Sequence, residues 1–524
     1  MRSDQSASLE ADRPAFSVSQ SFAEDCMHLV SAATLMLIAI SCFVISTTLG
    51  VAAVFIATAT VASVRPTSLP TVIVTSFLYQ NTVISAFGPL VGSGDAFDAL
   101  RGANFVVLVA ATAVCIFAAL VDPRRIPYET RKWLLASVLV LGVITVYLGL
   151  GAARGAPRDA LVYFRNTVTP VACFIIGLTV ASLYKMEMRR AIVALGGGAL
   201  VFGYCELFFA MDFLSLFNGD EYIQRRIVRQ IETGYWERIL KDSGFVLRGL
   251  EDVMMTPLFN IPGYSDVLPQ VFRLSGPNFH PISFAYALAI ISIWLIFRNR
   301  FGFLIAAAPL LVIIGSKGAM IAVLMALALK FAVGVMPPRT AILGFIAGSL
   351  GYITIAVIYG RSVNDYHVLG LLAGLRDFFR NPIGQGLGFG GNLSSSIEGN
   401  LDWSRSQLEG IADLPVESAV GVMLYQMGIA ALLFFAFLTA IARKCAGLYL
   451  RRRNPDALCG FMLVTIISVN AVLQEEAFFS PLALGFALML VGITMGRTFL
   501  IACQERRNSP PERSSTGGSP QLLR

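Results

Sequence analysis

Apolar residues along this 524-residue chain fall into about fourteen runs of membrane length. Short charged connections separate most of them, and two long polar segments, near 212–280 and 361–416, interrupt the series. One run, Pro281–Phe297 (PISFAYALAIISIWLIF), carries no charge at all. Only helices satisfy their backbone hydrogen bonds across such runs in lipid, so the pattern predicts an all-α, polytopic helical membrane protein with about 12–14 transmembrane helices. The spans are expected near 28–46, 48–64, 70–90, 102–121, 134–150, 161–184, 188–211, 281–297, 301–316, 318–335, 340–360, 417–441, 457–474 and 480–501. They divide the chain into a tail (1–27), a first bundle (28–211), a long loop (212–280), further spans (281–360), a second loop (361–416), C-terminal spans (417–503) and a second tail (504–524).

Composition supports this class. The chain is 56% hydrophobic and 14% charged, with a mean hydropathy of +0.70, whereas soluble domains carry about 25% charged residues. The net charge of +7 needs no nucleic acid partner, because membrane proteins collect Lys and Arg in cytoplasmic loops. Arg124, Arg125, Arg131, Lys132, Lys185, Arg189 and Arg190 lie in such short connections, as do Arg298, Arg300, Arg339, Arg443, Lys444 and Arg451–Arg453. With fourteen spans these cations share one side with both termini, which makes that side cytoplasmic. The two long segments then face outward, into the periplasm of a bacterial inner membrane. The first twenty residues hold no apolar core, so no cleavable signal peptide is expected. The Pro/Ser/Gly-rich tail after Cys503 reads as disordered. Eight cysteines fall in spans or on the cytoplasmic side, without C-x-x-C spacing, and read as small packing residues.

Chemistry is sought where the apolar pattern stops. Ile223, Ile227 and Ile231 recur every four residues within Asp220–Gly244, which predicts an amphipathic helix. It either dips its isoleucines into lipid or forms a lid with solvated charges. The stretch RLSGPNFHP, Arg273–Pro281, brings a guanidinium, a turn, an amide and an imidazole to a helix mouth. Arg273 suits a diphosphate, because its planar fork binds phosphate oxygens in pairs. His280 is either a base or a structural hydrogen-bonding group, and Pro281 suits the first residue of the next helix. Arg165, near the outer end of a span, either snorkels to lipid phosphate or faces a cavity. Glu206 lies inside an apolar stretch, and Arg165 or Arg273 is its expected counter-ion. Lys317 is expected at the outer boundary. Arg376 and Arg380, four apart, share a helical face. The run Gly384–Gly391 follows no strand and reads as turn chemistry, not a phosphate cradle. Glu417 stands at the threshold of a span, and Glu475 and Glu476 return to the same outer surface. No D-x-D pair and no P-loop motif occurs. Outward arginines with carboxylates at a membrane surface point to a lipid-diphosphate substrate, whose leaving charge side-chain cations neutralise while a carboxylate deprotonates an attacking sugar hydroxyl.

From about Arg165 onward the arrangement resembles the superfamily of O-antigen polymerases and O-antigen ligases, which includes exopolysaccharide polymerases. The resemblance rests on R-L-S-G-P-N-F-H-P at 273–281, S-K-G-A-M at 316–320, N-P-I-G-Q-G-L-G at 381–388 and E-S-A-V-G-V-M-L-Y-Q-M-G-I-A at 417–430, in that order between spans. It implies transfer of glycan from undecaprenyl-diphosphate-linked oligosaccharide to an acceptor hydroxyl on the periplasmic side, with inversion and with no metal or other cofactor. Arg165, Arg273 and Arg376 would bind the diphosphate, with Lys317 and Arg361 behind them. Arg380, Glu206 and Glu475 complete the expected substrate-binding set, and Glu417 and His280 are the candidate catalytic groups. Ligases of the superfamily place a histidine where this chain has Glu417, which favours a polymerase over a ligase acting on lipid A core. The implied partners are the bilayer, a chain-length regulator and export proteins. A flippase or secondary transporter is the alternative of a different class; it favours midplane charges and repeated halves, whereas here the ionisable residues cluster at the outer boundary, apart from Glu206, and no repeat is visible.

Overall fold

The computed structural model describes residues 18–91, 94–232, 250–258, 268–395 and 403–508. In the first half the helices are α1 (Val18–Ile45), α2 (Thr47–Val64), α3 (Leu69–Ala86), α4 (Gly94–Arg101), α5 (Ala103–Val121), α6 (Tyr128–Ala153), α7 (Pro157–Leu183), α8 (Arg189–Ser215) and α9 (Gly219–Glu232). A short α10 (Leu250–Met254) leads into a two-stranded antiparallel hairpin, β1 (Met255–Pro257) with β2 (Gln270–Phe272). Then follow α11 (Pro281–Ile296), α12 (Gly302–Ile314), α13 (Lys317–Val335), α14 (Pro338–Ser362) and α15 (Tyr366–Arg380). The C-terminal part holds α16 (Trp403–Glu409), α17 (Ala419–Met427), α18 (Ile429–Arg452), α19 (Pro455–Asn470), α20 (Glu476–Phe479) and α21 (Phe486–Asn508), the last preceded by a π turn over Pro481–Gly485.

The chain is an all-α, multi-pass membrane protein. Among the described residues ten helices are long and apolar enough to cross a membrane. Three shorter apolar helices, α11, α12 and α19, fill other expected spans. The charge-free run at 281–297 has a different cause from the one expected. Every residue from Ser283 to Ile296 in α11 is buried inside the protein, so the helix is apolar all round because other helices surround it.

The centre of the bundle is α7, buried over 94% of its most apolar stretch. It meets α21 backbone to backbone. A Cβ on Gly177 would stand 2.5 Å from the Met489 carbonyl oxygen, one on Gly492 2.6 Å from that of Phe174, and one on Gly496 2.4 Å from that of Leu178. Small residues four apart permit this approach, and in lipid such packing replaces the hydrophobic drive that water would supply.

Ion pairs join neighbouring ends at the face carrying the short connections: Arg298–Asp456 at 2.8 Å, Lys444–Glu129 at 2.7 Å, Arg452–Glu505 at 2.7 Å and Arg190–Asp25 at 3.9 Å. The described parts of the long segments meet the opposite helix ends, as where Asn278 meets Asn81 and Asn392 meets Glu475.

Several expected boundaries move. The first helix starts at Val18, ten residues before the expected span, and the last runs to Asn508, beyond the expected start of the C-terminal tail. The expected single span at 417–441 is two helices, α17 and α18, broken at Gly428 (φ 53°). The second long segment is partly helical, because α15 packs on α17 through Gly370 and Gly374. Of the amphipathic helix expected over Asp220–Gly244, the part to Glu232 is present as α9. Ile223 and Ile227 are buried against Phe202, Leu214, Met254 and Phe279. Those two positions therefore face protein and do not dip into lipid. The Ile231 side chain, residues 233–249, both chain tails (1–17 and 509–524) and 396–402 lie outside the described residues.

Replacing Gly492 or Gly496 by Leu drives a side chain into the α7 backbone. The expected outcome is a loss of about 3 kcal/mol, read as a lowered Tm of detergent-solubilised protein. Gly344→Ala, where nothing lies within 4 Å, is the control and is expected to keep the wild-type Tm.

Candidate functional site

The loop between β2 and α11 is fixed first. Glu206, fully buried in α8, accepts hydrogen bonds from the Ser275 amide (2.7 Å), the Ser275 hydroxyl (2.7 Å) and the Gly276 amide (2.8 Å). The expected arginine partner is not what satisfies it: three N–H and O–H donors from one turn surround the carboxylate, as a buried anion requires. From α3, the Asn81 amide bonds the Asn278 carbonyl at 2.7 Å and the Thr82 hydroxyl bonds that of Pro277. Gly276 adopts φ +65°, and a Cβ there would overlap the Phe284 ring. His280 caps α11, its Nδ1 accepting from the Ser283 amide at 3.2 Å and facing the Ser283 hydroxyl at 2.9 Å. Of its two sequence readings, the structural one describes this geometry.

The glycine-rich run is a belt. From 384 to 391 it threads between helix ends, with Gln385 and Gly386 amides donating to the Tyr425 and Gln426 carbonyls and the Leu387 amide to that of Tyr147. A Cβ on Gly388 (φ +96°) would stand 2.5 Å from the Ala160 amide nitrogen. Close backbone approach, more than turn flexibility, demands glycine here. The belt ends where the Asn392 amide donates to Glu475 at 2.9 Å and the Leu393 amide to the Tyr163 hydroxyl at 3.0 Å. Tyr163 in turn donates to Glu475 at 2.7 Å.

Around this brace lies an acidic centre. Glu417, just before α17, holds a left-handed backbone (φ 62°), a conformation that strains a residue with a Cβ and is often retained at functional sites. Burial, then the neighbouring Glu476 and Glu475, push its carboxyl up to about 8. Glu475 is pushed up to about 7, chiefly by burial against the opposing bonds from Asn392 and Tyr163. Burial also raises Glu476, which Arg273 partly counteracts. Three crowded carboxyls titrate as a set, each displaced upward from the ordinary carboxylate range.

His367 joins them, its Nδ1 3.8 Å from Glu417 Oε2. Burial lowers its pKa, against the pull of Asp365, while Lys317 pushes the same way as burial. Sequence reading passed over His367, although it is one of only three histidines. The available signal was Asn364-Asp-Tyr-His367: Asp365 caps α15 through the His367 amide at 2.9 Å, which sets the imidazole at a helix start. Beside these groups Tyr366 stands within electrostatic range of Glu417 and Glu476, Arg273 within range of Glu476, and Lys317 within range of Asp365 and His367. Several buried atoms here have no hydrogen-bond partner among the described residues: Glu476 Oε2, His367 Nδ1, Asn470 Oδ1 and Ser316 Oγ. Such concentrated unmet polarity marks a place that a polar ligand or water completes.

The remaining expected residues lie elsewhere. Arg361 bonds the Gly410 carbonyl, and Arg376 bonds those of Ala412 (3.0 Å) and Asp413 (3.2 Å). Both pin the segment after α16. Arg380 is exposed at the end of α15. Arg165 pairs with none of the acids and lies instead near Arg101. Among the described residues no set of His, Cys, Asp and Glu side chains is arranged to hold a metal ion. The chain matches no family model and no curated protein sequence.

Glu206→Gln replaces an acceptor by a donor against two backbone N–H groups. Charged hydrogen bonds contribute about 1.5–3 kcal/mol each. The expected outcome is faster amide hydrogen exchange confined to 274–280, with helices α13 and α14 unchanged. Exchange at wild-type rates in this loop would contradict the clamp.

Proposed function

We propose that the chain is a polysaccharide polymerase of the bacterial plasma membrane, joining lipid-diphosphate-linked glycan units on the outer, periplasmic side. The carrying observation is the meeting of Glu417, Glu475, Glu476 and His367 with Arg273 and Lys317 at one end of the bundle, beside buried polar atoms that lack partners. The cations gather at the opposite end in short connections, which supports a cytoplasmic assignment for that end and for both termini. The order of the 273–281, 316–320, 381–388 and 417–430 motifs supports membership of the O-antigen polymerase and ligase superfamily, with undecaprenyl diphosphate as the carrier.

In this reading Arg273 and Lys317 hold the donor's diphosphate. Glu417, ionised, takes the proton of an acceptor sugar hydroxyl, and that hydroxyl's oxygen bonds to the donor's anomeric carbon from the face opposite the leaving group. The bond from that carbon to the diphosphate oxygen breaks, and the lipid diphosphate departs with the electron pair, its charge met by the two cations. His367, beside Glu417, and Glu475, braced by Tyr163 and Asn392, keep the base in place. The Glu417 position, with no histidine, is what favours chain growth over transfer to lipid A core.

The test uses full-length protein in nanodiscs with labelled lipid-linked repeat units. Elongation without any added acceptor is expected of a polymerase, and product only with a separate acceptor would make the chain a ligase. Glu417→Gln is expected to lower the rate by roughly 10²–10⁴. Because the base works ionised and its carboxyl sits near 8, the wild-type rate is expected to rise with pH through that region and then level. A pH-independent rate, or a fully active Glu417→Gln protein, would remove Glu417 from this role. Arg273→Ala is expected to abolish polymer in cells while membrane insertion persists.

A further inference from the structure

Glu417 is the middle residue of a three-residue turn. Its φ is 62°, and the Ser418 amide donates back across it to the Val416 carbonyl at 2.7 Å. A bond closed over one residue of positive φ is the rare, strained form of the γ-turn. Glycine suits such a backbone and a residue with a Cβ does not. Asn218, Asn299 and Asn364 also take positive φ, as a tolerant residue type, and Arg453 takes it at a helix end. Neither reason applies to Glu417.

Strain of this kind persists only where the surroundings over-determine it, and residues entering the turn are tied down. Arg376 donates to the carbonyls of Ala412 and Asp413, and the Gly391 amide donates to that of Pro415 at 2.7 Å. Gly370 of α15 packs directly on Val416, whose carbonyl oxygen a Cβ would overlap. Beyond the turn, Ser418 is fully buried and uses its hydroxyl twice. It accepts from the Gly421 amide at 3.1 Å, which caps α17, and donates to the Val472 carbonyl at 2.7 Å. Capping needs only the first bond. The second, with the Val420 amide on the Ala471 carbonyl at 3.1 Å, straps the turn to the segment that leads to Glu475 and Glu476.

The turn decides where the carboxyl goes. Glu417 Oε2 stands 3.8 Å from His367 Nδ1, an atom with no hydrogen-bond partner among the described residues. Rotation to negative φ would swing the Cβ of Glu417, and its carboxyl with it, away from this position.

We propose that Ser418 is a positioning residue: its bond to the Val472 carbonyl holds the turn in its strained form, and that form keeps the Glu417 carboxyl beside His367 in the acidic centre. That this carboxyl is the base of glycan transfer rests on the polymerase reading; the turn itself does not. The titratable groups around it are Glu475 and Glu476 from the segment after α19, and Asp365, Tyr366 and His367 from the start of α15. Burial and the two glutamates push the carboxyl up to about 8, whereas one released toward solvent returns to the ordinary carboxylate range.

The experiment uses full-length protein in nanodiscs and a hydrophobic carbodiimide, which modifies protonated carboxyls; peptide mass spectrometry reads the modification of Glu417 across pH. In the wild type, labelling is expected to fall with a midpoint near 8. Ser418→Ala is expected to move that midpoint down and to cut labelling at pH 7 by roughly threefold or more. An unmoved midpoint would overturn the proposal. Thermal melting tests the strain separately. Glycine ordinarily lowers stability relative to alanine, yet Glu417→Gly is expected to melt about 1–3 °C above Glu417→Ala. A Glu417→Ala protein that melts at the same temperature or higher would overturn it as well. Neither readout involves glycan transfer. Elongation of lipid-linked repeats by Ser418→Ala is expected to fall about tenfold; a wild-type rate alongside a shifted labelling midpoint would overturn Glu417 as the base and leave the turn standing.

Discussion

A buried carboxylate must be surrounded by donors, and this structure meets that demand with backbone amides from its own loops. Glu206 gathers the turn at Ser275 and Gly276, and Glu475 gathers Asn392 together with Tyr163. Each acid sits on or beside a membrane-buried helix, and each accepts backbone amides from a long polar segment. The two segments are therefore held to the bundle by anion solvation, where apolar packing alone gives no fixed register. An error of one residue in either loop would leave a charge stranded in a low-dielectric interior, which is why the arrangement is specific as well as stable.

Glycine makes the second fastening possible. Gly391 lets Tyr163 and Glu475 approach the belt, since a Cβ there would overlap the tyrosine hydroxyl. At Gly428 the helix breaks so that the Ile429 amide can donate to the Pro382 carbonyl at 2.8 Å. The break exposes one turn's backbone groups, and the belt satisfies them, as irregular backbone within a membrane protein requires. Arg361 and Arg376 serve the same end farther along, donating to carbonyls that no helix would otherwise satisfy.

The helices were legible because lipid imposes a single backbone solution on long apolar runs. Each expected span from 28–46 to 480–501 coincides with helix, even where, as in α11, the cause of its apolarity is burial in protein. The site was legible in its outline. Glu417 lies near Glu475 and Glu476, Arg273 acts on Glu476, and Lys317 acts on His367 beside Glu417; Glu417, Glu475, Arg273 and Lys317 were all expected at one face. The partners were not legible. Glu206 takes its donors from the backbone, which leaves no side-chain signature, and arginine was the only counter-group that residue types suggested. Arg361 and Arg376 read as ligand cations for the converse reason: a guanidinium bound to carbonyls and one bound to phosphate look alike in a sequence. His367 escaped notice because its neighbours, Asp365 and Lys317, come together only through the packing of α13, α14 and α15 around Glu417.

The charge balance at the acidic centre carries a consequence for any anionic ligand. Two like charges about 4 Å apart near a protein surface repel by about 4 kcal/mol. A diphosphate beside Glu417 and Glu476 would drive their carboxyls further toward the protonated form unless cations intervene. Arg273 already acts on Glu476 in that sense, and Lys317 acts on Asp365 and His367. On the proposed reading these cations therefore have two coupled tasks: they hold the diphosphate, and they screen it from the carboxylate that must lose its proton. Departure of the lipid diphosphate would return that screening to the acids. Ionisation of the base and occupancy of the site are then linked through the same two side chains.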